Sequence, residues 1–174
     1  MEVDGTGMAV TIALDNANDI HPPNKIDVGE RLALWPLAKV YGKKIPFSGP
    51  LFRKAEFRGR EAVVHFDYAK EGLMIGRIVG VGKIVEEKDG TLNGFELSWD
   101  DGIWHPAKAK VEGRTVLVKS LQVKQPVAVR YACHPEAPKA HPWNLYNKAG
   151  LPASPFCSDW RKMPYDPIKN PMRQ

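Results

Sequence analysis

The sequence predicts a mixed fold class. Residues 1–42 read as an α/β-type strand, loop and helix, residues 43–160 as a mainly antiparallel β-sandwich, and residues 161–174 as a tail. Three observations predict this. An apolar run, Met8-Ala9-Val10-Thr11-Ile12, precedes turn formers and then a helical period. After Gly42 the helical period gives way to short β-rich runs separated by turn signals. Beyond Pro135 regular runs are sparse and prolines frequent.

The elements follow in order. Met8 to Ile12 is short and continuously apolar, as in a strand covered on both faces. Asp15 to Asp19 are turn and cap formers, and Pro22-Pro23 delays the helix start. The helix is predicted over 26–41. Val28, Leu32 and Trp35 form one stripe at i, i+4, i+7, and Ala33, Leu37 and Val40 form another. Asn24 is the expected N-cap, Asp27 suits the first turn, and Gly42 suits the residue after the end. Pro36 should kink the helix or divide it near Leu34.

Strands are predicted over residues 54–57, 61–68, 73–75, 77–85, 94–99, 107–111, 115–119 and 127–132. The links carry turn chemistry at Arg58-Gly59, Lys88-Asp89-Gly90, Asp100-Asp101-Gly102 and Glu112-Gly113. Val64, Phe66 and Tyr68 alternate with His65 and Asp67, the mark of a half-buried strand. Trp143 to Asn147 reads as a short edge strand or an ordered loop. Residues 161–174 have little to bury.

Bulk properties narrow the function classes. The chain has 174 residues, 43% of them apolar and 26% charged, the balance of a globular protein. No apolar run reaches the length of a membrane span, so no membrane partner is expected. The start lacks the basic end and apolar core of a secretory signal, so the compartment is not given by this chain. The net charge of +5 is spread along the sequence without a basic stripe, so no nucleic-acid partner is expected. Cys133 and Cys157 lack CxxC spacing and read as free thiols, although export would allow them to pair. His65, His105, His134 and His141 show no metal-ligand spacing, and no cofactor motif is present.

His21 carries the chemistry. It lies on a loop between a strand end and a helix start, where α/β proteins place reactive groups. A histidine there can take a proton from a hydroxyl and return it to a leaving alcohol, if an acid fixes its other ring nitrogen. Asp19 and Asp15 are the carboxylates nearby in sequence, and Asp19 is the candidate partner.

Gly7-Met8-Ala9-Val10-Thr11-Ile12, Asn18-Asp19-Ile20-His21-Pro22-Pro23-Asn24-Lys25 and Gly29-Glu30-Arg31-Leu32-Ala33-Leu34-Trp35 together resemble a known pattern. It is the last strand, histidine loop and last helix of the sialate O-acetylesterase family of SGNH (GDSL-type) hydrolases. Val127 to Ala132, Asn144 to Asn147 and Gly150 to Phe156 resemble the family's C-terminal signature. The resemblance covers roughly residues 5–159. It implies the C-terminal part of a flavodoxin-like α/β domain with a β-sandwich attached. It also implies removal of acetyl groups from sugar hydroxyls by a Ser-His-Asp type site in usually exported proteins. His21 matches the family's catalytic histidine. Asn18 stands where the general pattern has an acid, and Ala13 where the family commonly has aspartate. Cys157 replaces a frequent arginine, and Pro36 a small helix former.

The family's nucleophilic serine motif has no counterpart here. Ser48, Ser98, Ser120, Ser154 and Ser158 are the serines, and none opens a helix after a tight glycine turn. The expectation is therefore a chain inactive alone, with an O-acetylated sugar as substrate and the serine on another segment. Without such a segment, Leu32, Trp35 and Leu37 should expose an apolar patch, leading to self-association, docking on the sandwich or instability of residues 1–42. The alternative function is a non-catalytic β-sandwich that binds carbohydrate or braces a partner. Its sugar-stacking face would draw on Trp99, Trp104 and Trp143; otherwise Trp99 is core and Trp104 sits beside a hairpin turn.

Overall fold

A computed structural model describes residues 4–12, 14, 21, 23–133 and 143–159. Among these residues, one helix, α1 (Lys25–Lys39), precedes eleven short strands that form three antiparallel sheets. β1 (Leu51–Arg58), β2 (Glu61–Asp67), β8 (Thr115–Lys119) and β7 (Lys108–Glu112) make one sheet in the order β1-β2-β8-β7. β11 (Phe156–Cys157), β9 (Ala128–Tyr131), β5 (Phe95–Ser98) and β6 (Trp104–Pro106) make another in the order β11-β9-β5-β6. β10 (Leu145–Asn147), β3 (Leu73–Ile78) and β4 (Ile84–Glu86) form the third.

The two four-stranded sheets turn their apolar faces to one core. Ala62, Val64, Val116 and Val118 come from one side, and Phe95, Leu97, Val129 and Tyr131 from the other. Sheet alternation explains these choices, since every second residue of β2, β5, β8 and β9 points inward. β1 keeps Phe52 and Ala55 inward despite their odd spacing. The register slips between Phe52, opposite Phe66, and Lys54, opposite His65, and this bulge resets the alternation. The rings of Phe52 and Phe156 stack with centroids 4.5 Å apart, closing the core at that end.

Several boundaries differ from the sequence expectation. The run 77–85 is two strands joined by a hairpin loop, in which Val79 N–H donates to Lys83 O at 2.8 Å. β3 instead continues through Gly76. A Cβ there would lie 2.7 Å from the Tyr146 ring, so the strand needs the bare backbone. β6 and β11, three and two residues long, escaped a periodicity reading. Trp143 to Asn147 does supply an edge strand, β10. Tyr68 does not continue the inward row of β2. Its φ of 57° ends the strand, and its ring packs against Phe47 at 5.2 Å.

The opening segment is the main local correction. Met8 to Ile12 is not a strand, because no neighbouring strand in this chain pairs with it among the described residues. Helix side chains take its carbonyls instead. Trp35 Nε1 donates to Met8 O at 2.8 Å and Arg31 to Val10 O at 2.7 Å. The segment thus runs back along α1, with Ile12 against the core.

α1 begins where expected. Asn24 Oδ1 accepts the Asp27 N–H at 3.1 Å, and Asn24 Nδ2 donates to Asp27 Oδ2 at 2.7 Å. It ends at Lys39 rather than 41, with the Val40 and Tyr41 N–H groups both on Pro36 O. Pro36 does not divide it. The proline sits on the exposed side, where water can satisfy the carbonyl it leaves free. The docked face is also not the predicted stripe. Asp27 and Arg31 are buried, whereas Ile26 and Leu32 are more than half exposed. Trp35 reaches the sandwich edge-on to Phe47 at 4.8 Å, and Lys39 Nζ caps the same ring at 4.6 Å.

Candidate functional site

His21 is exposed and stands three residues before the N-cap of α1. The residues that follow it lead into the capped helix, and the opening segment is fastened to that helix by Arg31 and Trp35. An exposed imidazole meets one requirement of a general base, that it be reachable. Asp19 and Asp15, the candidate acid partners, lie outside the described residues. Burial pushes the Arg31 guanidinium below its ordinary range, which the nearby Asp27 partly offsets. Arginine stays charged regardless, so Arg31 is a fixed cation on α1, held against Val10 O.

The serine hydroxyls are used within the sandwich. Ser48 donates to Gly49 O at 2.9 Å, Ser98 to Trp99 O at 2.9 Å, Ser120 to Pro106 O at 2.9 Å and Ser154 to Pro155 O at 3.3 Å. Ser158 accepts from Val129 N–H at 2.9 Å. Ser48, Ser98 and Ser120 are buried as well. These are backbone-bracing roles in strands and turns, not the exposed elbow that a nucleophile needs.

Trp104 sits beside the β5–β6 hairpin turn, as the non-binding expectation had it, opposite Ser98. Trp143 packs on the core. Trp99 is 40% exposed rather than core. Trp104 lies on β6 with the Arg130 guanidinium 4.5 Å from its ring centre, and Arg130 is held by Glu96 at 2.7 Å. The three therefore do not share a stacking face. Cys133 and Cys157 are free thiols whose Sγ atoms donate to Phe156 O at 3.1 Å and Asp159 O at 3.0 Å. Burial pushes the Cys133 thiol up to about 11. His65 lies 3.3 Å from Glu56, and His105 Nδ1 is 2.9 Å from Gln122 Oε1; His134 and His141 fall outside the described residues. Among the described residues no group of three His, Cys, Asp or Glu side chains is arranged to hold a metal ion. Among the described residues no helix is long and apolar enough to cross a membrane.

Two buried asparagines, read from sequence only as part of a signature, tie distant segments of the sandwich together. Asn147 Nδ2 donates to Ser48 O and Tyr68 O, and its Oδ1 accepts from Leu151 N–H, each at 3.0 Å. Asn144 accepts from Asn93 N–H and donates to Thr91 O. A short strand flanked by polar residues gives no hint of such long-range pairing.

This chain is similar to part of a carbohydrate acetylesterase. The protein is XAC1771 from Xanthomonas citri, matched at 38% identity and a TM-score of 0.74 over 87% of this chain. The chain spans about a third (32%) of the length of that relative. No protein-family model matches the sequence, and no curated protein does. The shared portion is a β-rich domain of antiparallel sheets with one helix. Its chemical resources are an exposed imidazole beside a capped helix and a set of serines already committed to structure.

Proposed function

We propose that this chain is the histidine-bearing, C-terminal part of a carbohydrate O-acetylesterase of the sialate O-acetylesterase (SGNH) type. His21 acts as the general base, with Asp19 orienting its ring. The attacking serine and the oxyanion donors belong to polypeptide outside this chain. The observation that carries the reading is the 38% identity to a carbohydrate acetylesterase over most of this chain. The exposure of His21 and the backbone-bound serines support the division of labour. In the assembled site, His21 takes the serine proton as the hydroxyl attacks the acetyl carbonyl, then returns it to the departing sugar oxygen. The serine-bearing segment covers the outward apolar residues of α1, Ile26 and Leu32 among them.

A base without nucleophile and oxyanion donors cannot run acyl transfer, because these parts act as a unit. The purified chain is therefore expected to release acetate from O-acetylated sugars no faster than its His21→Ala variant. Acetate release by the chain alone that the variant abolishes would refute the missing-nucleophile part. The second reading, a non-catalytic carbohydrate-binding module, is supported by the hydrogen-bonded state of the serines. Glycan binding lost in Trp104→Ala, with no role for His21 in any assembly, would favour it.

A further inference from the structure

Cys133 and Cys157 are the chain's two cysteines, and both are free and half-buried. The structure brings them to one end of the β9–β11 pair. Cys157 lies in β11, directly opposite Arg130 of β9. The neighbouring pair, Phe156 and Tyr131, points into the core, so Cys157 and Arg130 project from the outer face of the sheet. Continued in register, β9 would set Cys133 against Ser154, away from Cys157. Ala132 prevents this. Its φ of 54° is left-handed, a conformation that residues with a side chain rarely adopt, and it turns the chain back over the strand pair. The Cys133 thiol then donates to Phe156 O at 3.1 Å, the carbonyl joined to the Cys157 nitrogen.

The electrostatics agree with this placement. Burial is the largest cause that raises the Cys133 thiol, and the Cys157 sulfur is the next. Arg130 and Glu96 act on both thiols. The two sulfurs thus share one neighbourhood, beside the Arg130 guanidinium that Glu96 and the Trp104 ring hold in place. β11 is also a lightly held element. It has two residues and forms one edge of its sheet, yet its Phe156 packs on Phe52, Phe66, Phe95 and Tyr131.

We propose that Cys133 and Cys157 form a redox pair, which a low-molecular-weight disulfide converts to one intramolecular disulfide bond that fastens β11 to the end of β9. One cysteine thiolate attacks a sulfur of the oxidant, and a small thiolate leaves with the electron pair of the broken S–S bond. The second cysteine thiolate then attacks the protein-bound sulfur. The protein S–S bond forms, and the second small thiolate leaves. The two cysteine protons end on the two small thiols, so the protein loses two electrons and the oxidant gains them. Closing the chain between 133 and 157 restricts the unfolded state and so stabilises the folded one.

The test incubates the folded 174-residue chain with excess oxidised glutathione at mildly alkaline pH, then reads its mass, free thiols and oligomeric state. The expected product is a monomer lighter by two hydrogens, without free thiols, that yields a cross-linked peptide joining Cys133 to Cys157 on proteolysis. In denaturant unfolding, the oxidised chain should show a folding equilibrium constant about 10²-fold above that of the reduced chain, the worth of closing a loop of this length. A reductant should restore the lower value, and Cys157→Ser given the same treatment should show no such rise. The proposal is overturned if both thiols persist, or if glutathione adducts or cross-linked dimers form in place of the internal bond. It is also overturned if the bond forms without a rise in stability, or if treated Cys157→Ser gains as much.

Discussion

Gly49 shows how narrowly single residues are set in this fold. A Cβ there would lie 1.9 Å from Pro152 O and 2.7 Å from the Pro152 carbonyl carbon, and neither backbone atom can rotate aside. Gly49→Ala must therefore push apart the segment before β1 and the turn after β10. Overpacking of this kind costs about 1–3 kcal/mol or more, and a clear fall in the denaturant midpoint is expected. The Tyr131 hydroxyl accepts the Leu145 N–H at 3.1 Å inside the core. Tyr131→Phe leaves that donor unpaired and should cost about 1–3 kcal/mol, again read from denaturant unfolding. Tyr131 and Cys133 also predict the alkaline limit. Burial raises both above their ordinary values, so the folded state holds these protons more tightly than the unfolded state. The stability Cys133 contributes is complete below its ordinary value of 9.0 and is lost as pH rises through about 11, while that of Tyr131 begins to fall only above its ordinary value of 10.0. Thermal scans at rising pH should show the midpoint falling over that window, with less of a fall in Cys133→Ala.

At the scale of elements, α1 is the informative case. Its start was readable because Asn24 and Asp27 are local signals, and the structure uses both. Its orientation was not readable. The stripe Val28, Leu32 and Trp35 is the more apolar face, yet the sandwich meets Asp27, Arg31 and Trp35. Periodicity ranks faces by hydrophobicity, whereas docking was decided by two long-range hydrogen bonds to the opening segment and by the Phe47 ring. The same limit explains Met8 to Ile12, whose composition suits a strand but which pairs with no strand among the described residues. β2 and β8 were legible because their residues alternate between buried and partly exposed, with the buried ones in a single core. The short β6 and β11 were not, since two or three residues carry no period. Phe47 is the main ring contact between α1 and the sandwich, so Phe47→Ala should loosen the helix alone. Amide exchange should quicken across α1, by about tenfold for each 1.4 kcal/mol lost, while β2 and β8 stay protected.

For the whole molecule, the similarity to about a third of XAC1771 frames what this chain can do. His21, singled out by a long motif, is exposed three residues before the N-cap of α1, and Asp19, its candidate partner, lies outside the described residues. The bracing role of Asn144 and Asn147 became visible only when distant segments were brought together. The same two asparagines hold the segments around Ser48, Tyr68 and Thr91 together.

The account turns on His21 serving a serine supplied from outside this chain. The most direct measurement is acetate release from an acetylated sugar by a chimera in which this chain replaces the matched portion of the Xanthomonas citri enzyme. Activity within about tenfold of the parent is expected, with His21→Ala lowering it by about 10²–10⁴-fold or more, as loss of a general base does. A folded chimera without activity, or one indifferent to His21→Ala, would contradict the account.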